Sequence, residues 1–188
     1  MSRRSSDAST QFVETTLGNE RLRELTASDL DALQSLLERG SDYFLIHEDR
    51  PPTATEARDD WDVVPSGTPR SHKHVIGLFG PELVGVVEVV RDWPRPGTWI
   101  IGLLLLDPAA RRRGLGARTV SAIDAWAARS GADRLRIAVV RANSGGLKFW
   151  QALGFTQVEV HPDAMRTHSP AIALERPVQS DRGSHRRA

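Results

Sequence analysis

The chain has 188 residues, with 25 Lys plus Arg against 24 Asp plus Glu and no cysteine. That length fits one folded domain with trimmings, and 39% hydrophobic with 26% charged residues is a globular make-up rather than a disordered one. A near-neutral balance argues against a dedicated nucleic-acid binder, which needs a cationic surplus. The missing cysteines exclude disulfides, zinc–thiolate sites and cysteine nucleophiles.

The ends read as flexible tails, residues 1–20 and 177–188, around a folded domain at 21–176. Residues 1–11, MSRRSSDASTQ, have arginines but no apolar stretch behind them, so they do not form a secretory signal. Residues 21–25 (RLREL) read as a short strand. Thr26 then opens a helix, with Asp29 placed to complete a capping box. Leu30, Leu33 and Leu37 repeat at helical spacing, and Gly40 ends the helix.

Residues 41–70 are irregular and acidic. Glu48, Asp49, Glu56, Asp59, Asp60 and Asp62 stand against Arg50 and Arg58, and one helix is expected around 53–63. His74–Phe79 and Leu83–Arg91 read as a hairpin around Gly80-Pro81-Glu82. Trp99–Leu106 is apolar throughout and reads as a buried strand. Its eight residues are the longest apolar run, whereas a membrane-spanning helix needs about 20, so a soluble, cytoplasmic protein is expected. A helix from about Gly114 to Ser130 puts Val120, Ile123, Trp126 and Ala127 on one face. A strand at Leu135–Val140, a helix at Ser144–Leu153 and strands at Phe155–His161 and Ala171–Glu175 follow. This order implies an α/β fold: a mixed sheet with helices on its faces.

The chemistry concentrates where the buried strand meets the long helix. Asp107-Pro108 stops the strand, and Arg111-Arg112-Arg113-Gly114-Leu115-Gly116 forms a turn whose glycines allow positive φ and close backbone approach. The first amides of the helix point outward without partners, and its dipole is positive there. Such a start suits a phosphate or pyrophosphate. A solvated arginine cluster at a helix start is the alternative. The pattern is neither a G-x-G-x-x-G fingerprint nor a P-loop.

Further features tip the balance. Asn143 opens the next helix, followed by Phe149-Trp150 and Gly154-Phe155. With Arg111, Gly114 and Gly116 matching an Arg/Gln-x-x-Gly-x-Gly/Ala loop, the chain resembles the GNAT N-acetyltransferase family over roughly residues 21–176. The resemblance implies a six- to seven-stranded mixed sheet in which the strands Trp99–Leu106 and Leu135–Val140 run parallel and splay apart. Acetyl-CoA would lie in that opening, its pyrophosphate on the amides of Arg112, Arg113, Gly114, Leu115, Gly116 and Ala117. Main-chain groups of Leu104 and Leu106 would bind the pantetheine arm and the thioester oxygen, an oxyanion donor being worth about 2.7–4 kcal/mol. Asn143 would orient the arm. Homodimers are common in such a family.

One departure matters. Where many members carry a tyrosine that protonates the leaving thiolate, this chain has Trp150. Indole N–H donates a hydrogen bond but is not a useful acid. Tyr43, the only tyrosine, is a candidate substitute, with packing as its alternative role. Glu88 interrupts the apolar run Leu83–Val90 and is a candidate general base. It would otherwise face solvent at a sheet edge or pair with an arginine. His72 and His74 lack a third ligand, so no metal site is expected. Trp61, Trp93 and Trp99 line an acceptor pocket or pack in the core. The reading is an acetyl-CoA-dependent N-acetyltransferase acting on a small cationic amine by direct attack. Its rival is a catalytically weak or inactive acyl-CoA-binding module of the same fold.

Overall fold

The computed structural model describes residues 11–162 and 170–179. Thirteen main elements follow in chain order: β1 (Thr15–Leu17), β2 (Glu20–Glu24), α1 (Leu30–Arg39), α2 (Ser41–Glu48), α3 (Glu56–Trp61), β3 (Lys73–Phe79), β4 (Leu83–Val90), β5 (Thr98–Leu106), α4 (Leu115–Arg129), β6 (Arg134–Val140), α5 (Ser144–Ala152), β7 (Thr156–His161) and β8 (Ala171–Pro177). The strands form one eight-stranded sheet in the order β1-β2-β3-β4-β5-β6-β8-β7. Only β5 and β6 run parallel; every other neighbouring pair is antiparallel.

Period-two alternation divides the sheet between two cores. Val87 and Val89 point into the core built with Val120, Ile123, Trp126 and Ala127 of α4, and Trp150 of α5 packs there too. Val86 and Leu105 point the other way, onto Leu33, Leu36 and Leu37 of α1, Phe44 of α2 and Ala57 of α3. The mixed sheet with helices on both faces is therefore as expected, with one strand more than the seven named from the sequence. That strand is β1, paired with β2 through Thr15, Thr16 and Leu17, and Phe12 ahead of it packs edge-on against Trp126 at 5.2 Å. The expected tail over residues 1–20 is thus too long. A three-residue polar strand has no periodicity to betray it, and Phe12 is an isolated apolar residue. Residues 1–10 and 180–188 of the two expected tails lie outside the described residues; Val178 closes the other end by donating to the Asp133 carbonyl at 2.9 Å.

Thr26 does begin the first helical segment. Its N–H donates to Asp29 at 2.8 Å, and the turn starts as a 3-10 helix at Ala27–Asp29 before α1 proper. Gly40 ends α1 but also opens α2, where the sequence implies only irregular chain. Residues 43–46 of α2 are consecutive apolar residues without a helical stripe. Of them only Phe44 is buried, while Leu45 and Ile46 stay exposed.

Candidate functional site

Parallel pairing between β5 and β6 lasts for only four residue pairs, from Thr98 with Arg134 to Ile101 with Ile137. Beyond Ile101 and Ile137 the strands part. A bulge accompanies the parting: Glu88 opposes Leu103 and Val89 opposes Ile101, so Gly102 is one residue too many for β4. A β-bulge bends its strand and steepens its twist. The second half of β5 is consequently not buried on both faces, as its composition implied, but lines a cavity of about 700 Å³. The start of α4, the end of β6, the first turns of α5 and one side of α2 complete its walls.

The β5 wall is main chain with unspent hydrogen-bonding capacity. Asp107 N–H donates to the Val84 carbonyl of β4, whereas the Leu106 carbonyl turns away from β4 and accepts from Arg111 Nε at 2.9 Å. Alternation along the ladder turns the Leu104 N–H and carbonyl to the same open side as Leu106. At the start of α4, Gly114 adopts the left-handed conformation (φ 73°). The first intrahelical bond there is Arg118 N–H to the Gly114 carbonyl, which leaves the Leu115, Gly116 and Ala117 amides to face the cavity they line. Gly116 has a packing reason as well, since a Cβ there would stand 3.3 Å from Phe149 Cζ.

The three arginines do different things. Arg111 and Arg112 line the cavity; Arg113 does not. Arg111 donates to both carboxylate oxygens of Asp42 on α2, a bond that raises its own pKa and lowers that of Asp42. Its charge is therefore already matched. Asn143 caps α5, its Oδ1 accepting from Gly146 N–H at 2.8 Å, and its Nδ2 lies 3.2 Å from His47 Nε2. Trp150, 8% exposed, packs edge-on between Phe149 and Phe155 at the cavity floor.

Tyr43 lines the opposite wall, stacked on the His47 ring at 4.0 Å. Burial first, then the negative charges of Glu88, Glu48 and Asp60, push its phenol well above the ordinary value, so it stays protonated. Glu88 projects from an interior strand and pairs with Lys73 Nζ at 3.2 Å. Neither a sheet-edge position nor an arginine partner, its two alternative placements, is what it has. Burial raises its pKa, and Lys73 pulls the other way. Glu88 does not line the cavity itself, though its charge acts on the Tyr43 phenol that does. Lys73 is almost wholly buried and also donates to the Asp60 carbonyl at 2.5 Å.

The acidic stretch is largely self-paired. Glu56 makes two bonds to Arg50 and accepts from Thr53 N–H at 2.9 Å, which holds its carboxyl down at about 2. Arg50 also pairs with Glu48, and Asp59 accepts from Thr55. Asp49 caps α2 in the left-handed region. Trp61, Trp93 and Trp99 do not line the cavity; Trp99 lies in the α4-side core, 4.7 Å from Trp126. His74 bonds Glu24 at 2.8 Å while His72 sits beside Asp92. Among the described residues no three His, Asp or Glu side chains gather as a metal site, and no helix is long and apolar enough to cross a membrane.

Three residues of the site are not marked out by the sequence: Asp42, His47 and Lys73. Tyr43 and His47 stand four apart, one helical turn, a spacing that speaks only once α2 is recognised as a helix. Lys73 is one of only two lysines in an arginine-rich chain, and its place beside Glu88 follows from the β3–β4 register.

A sequence profile of the acetyltransferase (GNAT) family matches residues 31–155, more than half of the chain. Among solved structures, an acetyltransferase from Thermus thermophilus is 24% identical, with 85% of this chain and 97% of that one covered and a TM-score of 0.69. The ribosomal-protein-S18-alanine N-acetyltransferase of Escherichia coli is 14% identical over 88% and 97% of the two chains, TM-score 0.64. The ribosomal-protein-S5-alanine acetyltransferase of Vibrio fischeri is 14% identical over 89% and 98%, TM-score 0.68. No curated protein matches the sequence. At these identities the structures speak for the fold, and the profile speaks for the lineage: the chain belongs to the GNAT family of acetyltransferases.

Proposed function

We propose that the protein moves the acetyl group of acetyl-CoA to a primary amine of a small cationic acceptor. The observation that carries this reading is the convergence, on one cavity, of free helix-start amides at Leu115–Ala117 and outward-facing main-chain groups at Leu104 and Leu106. The first set suits a pyrophosphate. The second suits an amide-bearing arm, and an N–H of that strand suits the oxyanion of a tetrahedral intermediate. The fit rests on the chemistry of these donors.

In the proposed reaction the neutral amine attacks the thioester carbonyl carbon directly, since no cysteine exists to carry the acetyl group. The tetrahedral intermediate collapses with cleavage of the C–S bond, giving the amide and CoA thiolate. Glu88, through a water, takes the proton that the amine loses. Trp150 packs on the arm without acting as an acid. Tyr43, kept protonated, donates a hydrogen bond on the acceptor side, and the thiol, whose pKa is about 8.5, leaves with little help. Glu48, Asp60 and Glu88 near Tyr43 favour a cation. A second reading, an acyl-CoA-binding module without turnover, draws on one observation: Glu88 is tied to Lys73 and stands off the cavity.

Thermal unfolding with acetyl-CoA tests the cofactor site. At 100 times its dissociation constant a ligand stabilises by about 2.7 kcal/mol. The wild type is expected to gain that increment, and Gly114→Val, which puts a branched side chain at φ 73°, to lose it. Thiol release with a panel of polyamines, aminoglycosides and N-terminal peptides then separates the readings. Turnover with a small polyamine or aminoglycoside supports the proposal, turnover only with peptides redirects it to protein termini, and a shift without any turnover favours the binding module.

A further inference from the structure

We infer that His47 is a positioning residue for the cofactor arm, acting through Asn143. This rests on the cofactor reading above. The Asn143 amide has its oxygen committed to Gly146 N–H, which turns Nδ2 toward the His47 ring. An amide nitrogen only donates, so His47 Nε2 is the acceptor and the imidazole proton sits on Nδ1. Stacking on Tyr43 at 4.0 Å, with the ring planes 22° apart, fixes the orientation of that imidazole. Burial lowers the His47 pKa to about 4, so the accepting neutral form prevails near pH 7.

Nδ2 carries two hydrogens, and His47 takes one. No described residue takes the other, and Asn143 lines the cavity between the α4 start and β5. An amide carbonyl, the acceptor that a pantetheine arm offers, would complete its bonding. Without His47 the capping bond would still hold the amide oxygen, but Nδ2 would lose the partner that points it into the cleft. Asp42 with Arg111 pins the first turn of α2 to the α4 loop, while His47 with Asn143 pins its last turn to α5. The helix thus bridges the opening at both ends, each through a side chain that lines the cavity, and His47 is the end that touches the amide of Asn143.

The test compares acetyl-CoA with adenosine 3′-phosphate 5′-diphosphate, which has the pyrophosphate but no pantetheine. Calorimetric titration is made on wild type, His47→Leu and His47→Gln, with Asn143→Ala as reference. His47→Leu is expected to weaken acetyl-CoA about two- to tenfold, the scale of one neutral hydrogen bond, and to leave the fragment unchanged. In His47→Gln, whose Oε1 can accept from Asn143, affinity is restored to within about twofold. Adding His47→Leu to Asn143→Ala costs nothing further if the two act together. Unchanged acetyl-CoA affinity in His47→Leu, or equal losses for both ligands, overturns the inference while the cofactor reading stands. A wild type that binds neither ligand overturns both. Should His47→Leu fold poorly, His47→Ser, too short to reach Asn143, takes its place with the same expectations.

Discussion

A carboxylate placed in an apolar strand attracts notice in a sequence, and Glu88 was legible on that ground alone. Its partner was not, because Lys73 is brought to it diagonally by the β3–β4 register, which sets Val75 opposite Glu88 and Lys73 opposite Val90. The charged groups facing Glu88 are Lys73, Arg70 and Asp60, with the Tyr43 phenol beside them. Burial, the largest effect, raises the Glu88 pKa, and Lys73 opposes it. If Glu88 is the base, the acidic limb of kcat/KM lies above an ordinary glutamate pKa, because the carboxylate must be ionised to accept a proton. Replacing Lys73 by Met removes a charge that favours ionisation, so the limb is expected to move to higher pH. Glu88→Gln is expected to lower kcat/KM by about 10²–10⁴, the usual worth of a general base, and to erase the limb. Rate profiles between pH 5 and 9 decide it; a limb unmoved by Lys73→Met would remove Lys73 from the account.

At the scale of elements, what was legible depended on whether an element buries a regular stripe. The α1 leucines, the α4 face and the alternating strands do so, and their bounds were close. Helix α2 buries Phe44 alone, packs Tyr43 against the α1-side core, and turns Asp42, Tyr43, Ile46 and His47 to the cavity. Its apolar residues run consecutively, so no helical stripe shows in the sequence. Gly40 joins α1 to α2 against β5, where a Cβ would come within 2.8 Å of Leu105 Cδ2 and 3.0 Å of Cδ1. Leu105 is itself 2% exposed and has little room to yield. Gly40→Ala is therefore expected to cost about 1–3 kcal/mol, as overpacking does, read as a lower urea midpoint with an unchanged slope. The bulge at Gly102 did have a signal, since an isolated glycine inside an apolar strand suggests one, but that signal does not say which way the strand then parts.

For the molecule as a whole, the strands β6, β8 and β7 carry an ionic network on the face away from α4. Glu175, 4% exposed, accepts from Arg136 at 2.7 Å and Arg95 at 3.0 Å, and Arg136 also reaches Glu159. Burial would raise the Glu175 pKa, but the arginine bonds outweigh it and hold it below the usual value. Its stabilisation is accordingly present above the unfolded glutamate pKa and lost as pH falls below it. Glu175→Ala leaves the buried Arg136 without its inner partner, and such a break costs about 3–5 kcal/mol. Chemical denaturation at pH 7 is expected to show that loss, shrinking when the comparison is repeated at acid pH; a variant as stable as wild type would mean the network adds nothing.

The parting of β5 from β6 after four residue pairs has one more consequence. Leu104 meets whatever enters there with its peptide N–H and carbonyl and Leu106 with its N–H, since Arg111 holds the Leu106 carbonyl; every amino acid except proline possesses these groups in full. On the proposed reading, affinity for an extended, amide-bearing guest is thereby written in the main chain. Side chains on that stretch could then drift among apolar types without rewriting it, and such a protein would be free to change its acceptor while keeping the same donor.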